Sequence, residues 1–166
     1  MAEGGMYEAL GGEAGVGAIV ERFYDLMDLE PQYRDLRDIH AETLDYARDR
    51  LFKFLSGWLG GPDLYQQQYG HPRLRQRHFP FAVTLRLRNE WIACFAQALQ
   101  ELAVAERLAE PLLLNLFVLG DWMRNQNEPQ YAPPQPPMAA DVRARLPELV
   151  GVLHAYGVRN YFQTAR

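Results

Sequence analysis

Apolar residues recur every three or four positions along almost the whole chain as far as Asn127, and no stretch alternates apolar with polar residues as a half-buried strand would. Such a pattern is compatible with helices packed on their apolar stripes and with little else, so the sequence predicts an all-α protein. A short opening helix around Tyr7 to Leu10 stops at Gly11 and Gly12, which supply the left-handed turn needed past a helix end. A second helix, roughly Val16 to Asp28, carries Ile19, Val20, Phe23, Tyr24 and Met27 on one stripe, and Pro31 ends it. The third, roughly Ala41 to Leu59, sets Leu44, Ala47, Leu51, Phe54, Leu55 and Trp58 at helical spacing before Gly60-Gly61-Pro62 closes it. Two more follow. One runs from about Leu87 to Ala103 with Trp91, Cys94, Phe95, Ala98 and Leu102 inward, and the other from about Leu108 to Asn125 with Leu112, Leu116, Leu119 and Met123 inward.

Beyond Asn127 the composition changes to a run in which five of ten residues, 128–137, are proline, too dense to continue a helix and suited to a semi-rigid spacer. Residues 1–127 therefore form the main domain, 128–137 a linker and 138–166 a C-terminal tail. From Met138 to Tyr156 the tail has the apolar positions Val142, Leu146, Leu149, Val150 and Leu153 of an amphipathic helix, with Pro147 as an internal obstacle. A segment this small has no core of its own. It docks on the main domain, meets a partner or stays mobile, and its residues do not choose among these.

With 48% hydrophobic and 23% charged residues, the 166-residue chain can bury a real core. A formal net charge of −4 argues against nucleic acid as a partner, so the arginines at 73, 75 and 77 are a local feature. The start lacks a basic region followed by an apolar stretch, and the greasiest run, Leu112 to Leu119, is interrupted by Asn115. A soluble cytoplasmic protein, with no membrane association, is expected. Cys94 stands alone, which excludes an internal disulfide and any cysteine-rich metal framework.

The segment with most chemical promise is His71-Pro72-Arg73-Leu74-Arg75-Gln76-Arg77-His78-Phe79-Pro80-Phe81, read as a loop between the third helix and the long pair. It offers a neutral imidazole, the commonest protein ligand for transition metals, beside cations suited to an anionic ligand edge. A proximal histidine is one of the standard ways to hold haem iron, and the flanking apolar stripes suit a large flat cofactor. In an arbitrary helical protein a histidine on an arginine-rich loop is usually a surface or capping residue, and composition does not lift the ligand reading above that.

The ordered set of motifs resembles the truncated haemoglobins, specifically their group II. These motifs are Arg22-Phe23-Tyr24 on the second helix, Leu59-Gly60-Gly61-Pro62, the run from Gly70 to His78 followed by Pro80-Phe81, and Trp91 thirteen residues after His78. The resemblance covers about Tyr7 to Asn127 and implies a two-over-two helical sandwich around iron protoporphyrin, haem b, with the tail as a C-terminal extension. It makes His78 the iron ligand and puts Tyr24, His40 and Trp91 on the ligand-binding side. Ala47 matches the small residue standing where larger globins often have a distal histidine. Leu51, Phe54, Leu55, Leu74, Phe81, Val83 and Phe95 match porphyrin contacts, and Arg50, Tyr65 and Arg77 match residues that hold the haem propionates. The position matched by His40 is often tyrosine in the family, and this chain carries two more residues between Tyr24 and Ala47 than some members do.

Function follows from charge. Dioxygen that draws electron density from ferrous haem is held by donors aimed at it, as donors stabilise any developing charge. Hydrogen bonds to charged groups contribute roughly 1.5 to 3 kcal/mol, so one well-aimed donor slows release by about 10- to 100-fold. The resemblance thus implies a protein that binds O2, NO, CO or peroxide, releases O2 slowly and reacts it with a second small molecule, drawing electrons from an unidentified reductase. His40 is the candidate for proton transfer to peroxide, and Tyr24 as phenolate is a competing iron ligand. A dedicated nitric oxide dioxygenase or peroxidase is the alternative, a haem-free helical interaction module a third, and a homodimer is compatible with any of them.

Overall fold

Glycine at the first helix boundary allows a reversal that other residues resist: Gly11 and Gly12 both lie in the left-handed region, at φ 104° and 64°. They separate α1 (Gly5–Ala9) from α2 (Gly12–Leu29) in the computed structural model, which describes residues 5–139 and 141–163. The chain start up to Gly4, Ala140 within the tail, and the tail's end from Thr164 lie outside the described residues. The turn brings the two helices so close that a Cβ on Gly15 would stand 1.8 Å from the Leu10 carbonyl oxygen, so only glycine fits there. Pro31 ends α2 as expected, and a 3-10 turn at Pro31–Tyr33 leads into α3 (Arg34–Asp38). Then come α4 (Asp45–Trp58), α5 (Leu64–Tyr69), α6 (Leu74–His78), α7 (Leu85–Glu101), α8 (Glu106–Trp122) and α9 (Leu146–Ala155). All regular structure among the described residues is helical, and no helix among them is long and apolar enough to cross a membrane.

The chain forms two compact units, divided after Arg73. In the first, α2 packs on α4, and α1 on α2. Its core contains the stripe anticipated on α2, with Ile19, Val20, Phe23, Tyr24 and Met27 buried, together with Val16 and Leu26 of the same helix and Tyr33, Leu36, Leu55 and Leu59. The third helix begins four residues later than its periodicity suggests because α3 interrupts the approach. Arg37 on α3 donates to the carbonyls of Ala41 (2.9 Å) and Glu42 (2.7 Å) and to Asp28 (2.9 Å), which holds residues 41 and 42 out of the helix.

In the second unit α7 packs along α8, and α9 lies on both. Thr84 caps α7 by accepting the Leu87 N–H at 3.1 Å, so that helix starts at Leu85, two residues earlier than its periodicity suggests. Ile92, Ala93, Cys94, Phe95 and Ala96 are all buried, so this part of α7 is covered on more than one side. The tail supplies part of that cover through α9, whose Leu149 and Leu153 are buried, and Val158, Tyr161 and Phe162 after it are buried as well. The long tail helix expected from Met138 is instead two 3-10 turns followed by α9. Pro147 is no obstacle, because it stands in the first turn of α9, where its missing N–H costs nothing. Tyr161 donates to the Val104 carbonyl at 2.8 Å, and burial together with the Glu106 charge pushes its phenol up to about 12.

A buried ionic cluster joins the tail to α7 and α8. Asp121 accepts from Arg88 and from Arg124, each at 2.6 Å, while Arg145 stands 3.3 Å from its second oxygen. Glu148 of α9 completes the group against Arg88 (2.9 Å) and Arg145 (2.7 Å). Burial pushes the Asp121 carboxyl up, but hydrogen bonds and charges from Arg124 and Arg88 more than offset it and hold it below the ordinary carboxylate range. The unfolded chain takes up this proton more readily than the folded one, so the cluster's contribution is complete above about pH 4. It is lost as pH falls through the depressed folded value. Urea midpoints measured from pH 5 to pH 2 should show this acid slope, and Asp121→Asn should flatten it while lowering stability by about 3 kcal/mol at neutral pH. An unchanged slope in that variant would mean another carboxylate dominates acid unfolding.

Candidate functional site

His78 lies at the end of a short helix, not on the loop that its proline and arginine neighbours suggest. Helical geometry brings a side chain back over the preceding turn, and the His78 Nδ1 is 2.7 Å from the carbonyl oxygen of Leu74, four residues earlier. A carbonyl only accepts, so Nδ1 carries the proton and Nε2 carries the lone pair. That is the tautomer required of a metal ligand, and the donated hydrogen bond raises the basicity of the coordinating nitrogen. No reading of the sequence identified the Leu74 carbonyl, because the i−4 relation exists only once residues 74–78 are known to be helical.

The other expected residues of the second unit are close in sequence and differ in burial. Trp91 and Phe95, one turn apart on α7, stack with ring centroids 5.4 Å apart and planes 17° from parallel. Phe95 and Val83 are buried, Leu74 and Trp91 are half-buried, and Phe81 and Arg77 are exposed. His71 belongs to the turn ahead of α6, where its Nδ1 accepts the Arg73 N–H at 3.0 Å. Arg75, which the sequence groups with the other arginines as a cation for an anionic edge, is committed elsewhere. It donates to the carbonyls of Trp122 and Arg124.

In the first unit Tyr24 and His40 are brought together, with ring centroids 5.9 Å apart in an edge-on arrangement. Tyr24 is buried, its ring edge-on to Phe23 at 4.9 Å. His40 follows α3, and its Nδ1 is 2.9 Å from the Leu36 carbonyl, so that nitrogen holds its proton in both charge states. Its Nε2 therefore accepts when the ring is neutral and donates only when the ring is charged. Ala47, Leu51 and Phe54 are half-buried along α4, whereas Leu55 is in the core.

Arg50, also on α4, is flanked by two phenol rings. Its guanidinium carbon lies 4.1 Å from the centre of Tyr46 and 4.8 Å from that of Tyr69, and it donates to the Tyr46 hydroxyl at 2.6 Å. Burial works against the charge, but the two phenols more than offset it and hold the group above its ordinary value. The Arg50 Nε–H is nonetheless buried with no hydrogen-bond partner among the described residues. Tyr65 is buried on α5, with its ring centroid 5.0 Å from that of Tyr69.

The family model for bacterial-like globins matches residues 5–125. A group 2 truncated haemoglobin of Bacillus subtilis is 33% identical over 122 residues, covering 74% of this chain and 89% of that protein. Among solved structures, a cold-adapted truncated haemoglobin of the Antarctic marine bacterium Pseudoalteromonas haloplanktis matches with a TM-score of 0.71 and 44% identity, over 74% of this chain and 98% of that one. A group II 2-on-2 haemoglobin of the plant pathogen Agrobacterium tumefaciens gives a TM-score of 0.71 and 38% identity, over 74% of this chain and 95% of its own. These relatives are matched almost in full while about a quarter of this chain is left over, and the model match ends at residue 125, so the C-terminal extension lies beyond them. The chain therefore belongs to the bacterial-like globin family as a group II truncated haemoglobin, a haem protein that binds diatomic ligands.

Proposed function

We propose that this globin binds haem b through His78, retains O2 by donors from Tyr24, His40 and Trp91, and uses the retained ligand in redox chemistry with NO or peroxide. The observation that carries the reading is the 2.7 Å contact of His78 Nδ1 with the Leu74 carbonyl, which leaves a basic Nε2 lone pair for iron. The unpartnered buried Nε–H of Arg50 is a second point of fit, since a carboxylate such as a haem propionate is the partner that a buried guanidinium donor lacks. Tyr65 and Arg77 are assigned the same role, and Ala47, Leu51, Phe54, Leu55, Leu74, Phe81, Val83 and Phe95 the apolar contacts. In this reading the haem domain is residues 1–127, followed by the proline spacer 128–137 and the tail.

Haem, when bound, supplies the iron that takes a diatomic ligand and exchanges electrons. The residues supply donors and a proton. The Tyr24 hydroxyl and the Trp91 indole N–H donate to a ligand carrying partial negative charge and slow its departure. His40 offers a proton from Nε2 when charged and accepts one there when neutral, as an acid and base for peroxide must. Repeated turnover needs electrons from outside, which implies a reductase as partner.

Absorption spectra test the cofactor: protein offered hemin should develop a Soret band with distinct ferric, ferrous and carbonyl forms, and colourless protein would refute the haem reading. Consumption of NO or peroxide in the presence of a reductant then separates repeated turnover from a single stoichiometric event.

A further inference from the structure

The helix that carries His78 has no fully buried apolar anchor, Leu74 being only half-buried. None of the five side chains of α6 is buried, so burial cannot fix its position. Polar ties do so, and they come from residues at and just past the end of α8. Arg75 donates to the Trp122 carbonyl and, at 3.1 Å, to that of Arg124, with its guanidinium carbon 4.3 Å from the centre of the Trp122 ring. This cation satisfies carbonyls that a helix leaves unpaired at its C-terminus.

Asn125 holds the other side of His78. Its Nδ2 donates to the His78 carbonyl at 3.1 Å and to the Phe81 carbonyl at 2.9 Å. Its Oδ1 accepts the Val83 N–H at 2.9 Å and the Gln126 amide at 2.8 Å, and its own N–H donates to the Val83 carbonyl at 3.0 Å. The amide has one workable orientation, because flipping it would set oxygen against two carbonyls and N–H against N–H. Asparagine suits the place uniquely among small residues: it has two donors for two carbonyls and an acceptor for the strand of backbone that follows.

We propose that Asn125 is a positioning residue for the proximal histidine, clamping the backbone beyond His78 so that Nε2 is offered to iron in one fixed direction. The inference rests on His78 being the iron ligand. The Leu74 carbonyl orients the imidazole relative to α6, and Asn125 orients α6 itself. Without that clamp α6 retains its internal hydrogen bonds but shifts as a piece, and the imidazole meets iron at a spread of angles.

The test uses the full-length haem-loaded protein and two variants. Asn125→Asp keeps the size and one acceptor but faces both carbonyls with a carboxylate, and Asn125→Ala removes every side-chain bond. In ferrous protein both should shift and broaden the iron–histidine stretching band seen by resonance Raman, and both should lose haem to an excess of acceptor apoprotein roughly 10- to 100-fold faster, as expected when at least the two hydrogen bonds to the His78 and Phe81 carbonyls are lost. Tyr161→Phe removes one bond of similar quality, to Val104, and serves as the control: it should lower the melting temperature with the band unmoved. If the Asn125 variants melt lower but keep the wild-type band, the residue is merely structural and the proposal is overturned. Should the alanine variant fail to fold, the aspartate variant decides alone. His78→Gly separates the two levels of the argument. A band surviving there overturns the ligand assignment and this proposal with it. A band lost there, restored by imidazole and unmoved in the Asn125 variants, overturns positioning only.

Discussion

Haem binding in His78→Ala should fall by about 100-fold or more while the helical content and melting of the haem-free chain stay nearly unchanged. Altering the outer shell of a metal site alone costs 10- to 100-fold in affinity, and removing the ligand itself costs at least that. The protein structure should tolerate the change because His78 is half-buried on a helix with no buried side chain, so truncation opens no cavity. Substitutions of that kind stay within about 0.5 kcal/mol. Its side-chain hydrogen bond runs to a carbonyl four residues earlier within the same short helix, and the alanine backbone keeps the bonds that the His78 carbonyl accepts. A hemin titration followed at the Soret band, with circular dichroism of the apoprotein beside it, reads both quantities. Wild-type ferrous spectra in the variant would assign the iron to another side chain, and collapse of the apoprotein would make His78 a folding residue.

The residues legible from the sequence are those whose partners are local or whose periodicity is long. The stripes of α2, α4, α7 and α8 each run over more than three turns, enough for Ile19, Phe23 and Met27, or Leu112 and Leu116, to declare one face. Short helices have no such stripe. The five or six residues of α3, α5 and α6 make less than two turns each, and Pro72 and Gly70 beside them read as loop. Misreading α6 hid the Leu74 partner of His78. Pro147 misled for the opposite reason: the same residue that breaks a helix interior starts one, and only the position of the first turn tells which.

Long-range polar ties were invisible. Asn125 sits in Arg124-Asn125-Gln126-Asn127, a polar run like many helix ends, and its partners at His78 and Phe81 lie more than forty positions away. Arg88 and Asp121 are separated by 33 positions, and nothing near either residue announces a buried pair. Tyr24 and Trp91 came from resemblance, since a buried tyrosine and a stacked tryptophan look the same in sequence whether they pack or donate. The fold was therefore readable from patterning, whereas the polar framework around the candidate ligand needed coordinates.

Oxygen should leave Tyr24→Phe and Trp91→Phe about 10- to 100-fold faster than wild type, each substitution removing one donor worth roughly 1.5 to 3 kcal/mol to a charged acceptor. The tyrosine change is the cleaner of the two. Tyr24 is buried with its ring edge-on to Phe23 at 4.9 Å, and phenylalanine preserves that contact while deleting only the hydroxyl. The stacking of Trp91 on Phe95 is likewise retained in part by phenylalanine. His40 complicates the sum, because its ring is 5.9 Å from that of Tyr24 and residues in contact are not additive. With Nδ1 committed to the Leu36 carbonyl, His40 donates through Nε2 only as the imidazolium. Removing Tyr24 should then make oxygen release more sensitive to pH, slower in acid where His40 is charged and faster in base, and Tyr24→Phe combined with His40→Phe should abolish that dependence. Stopped-flow displacement of O2 across pH 5.5 to 8.5 measures all four proteins. Release from Tyr24→Phe within twofold of wild type at every pH would remove Tyr24 from ligand retention, and a pH dependence that survives loss of His40 would transfer the protonation to another group.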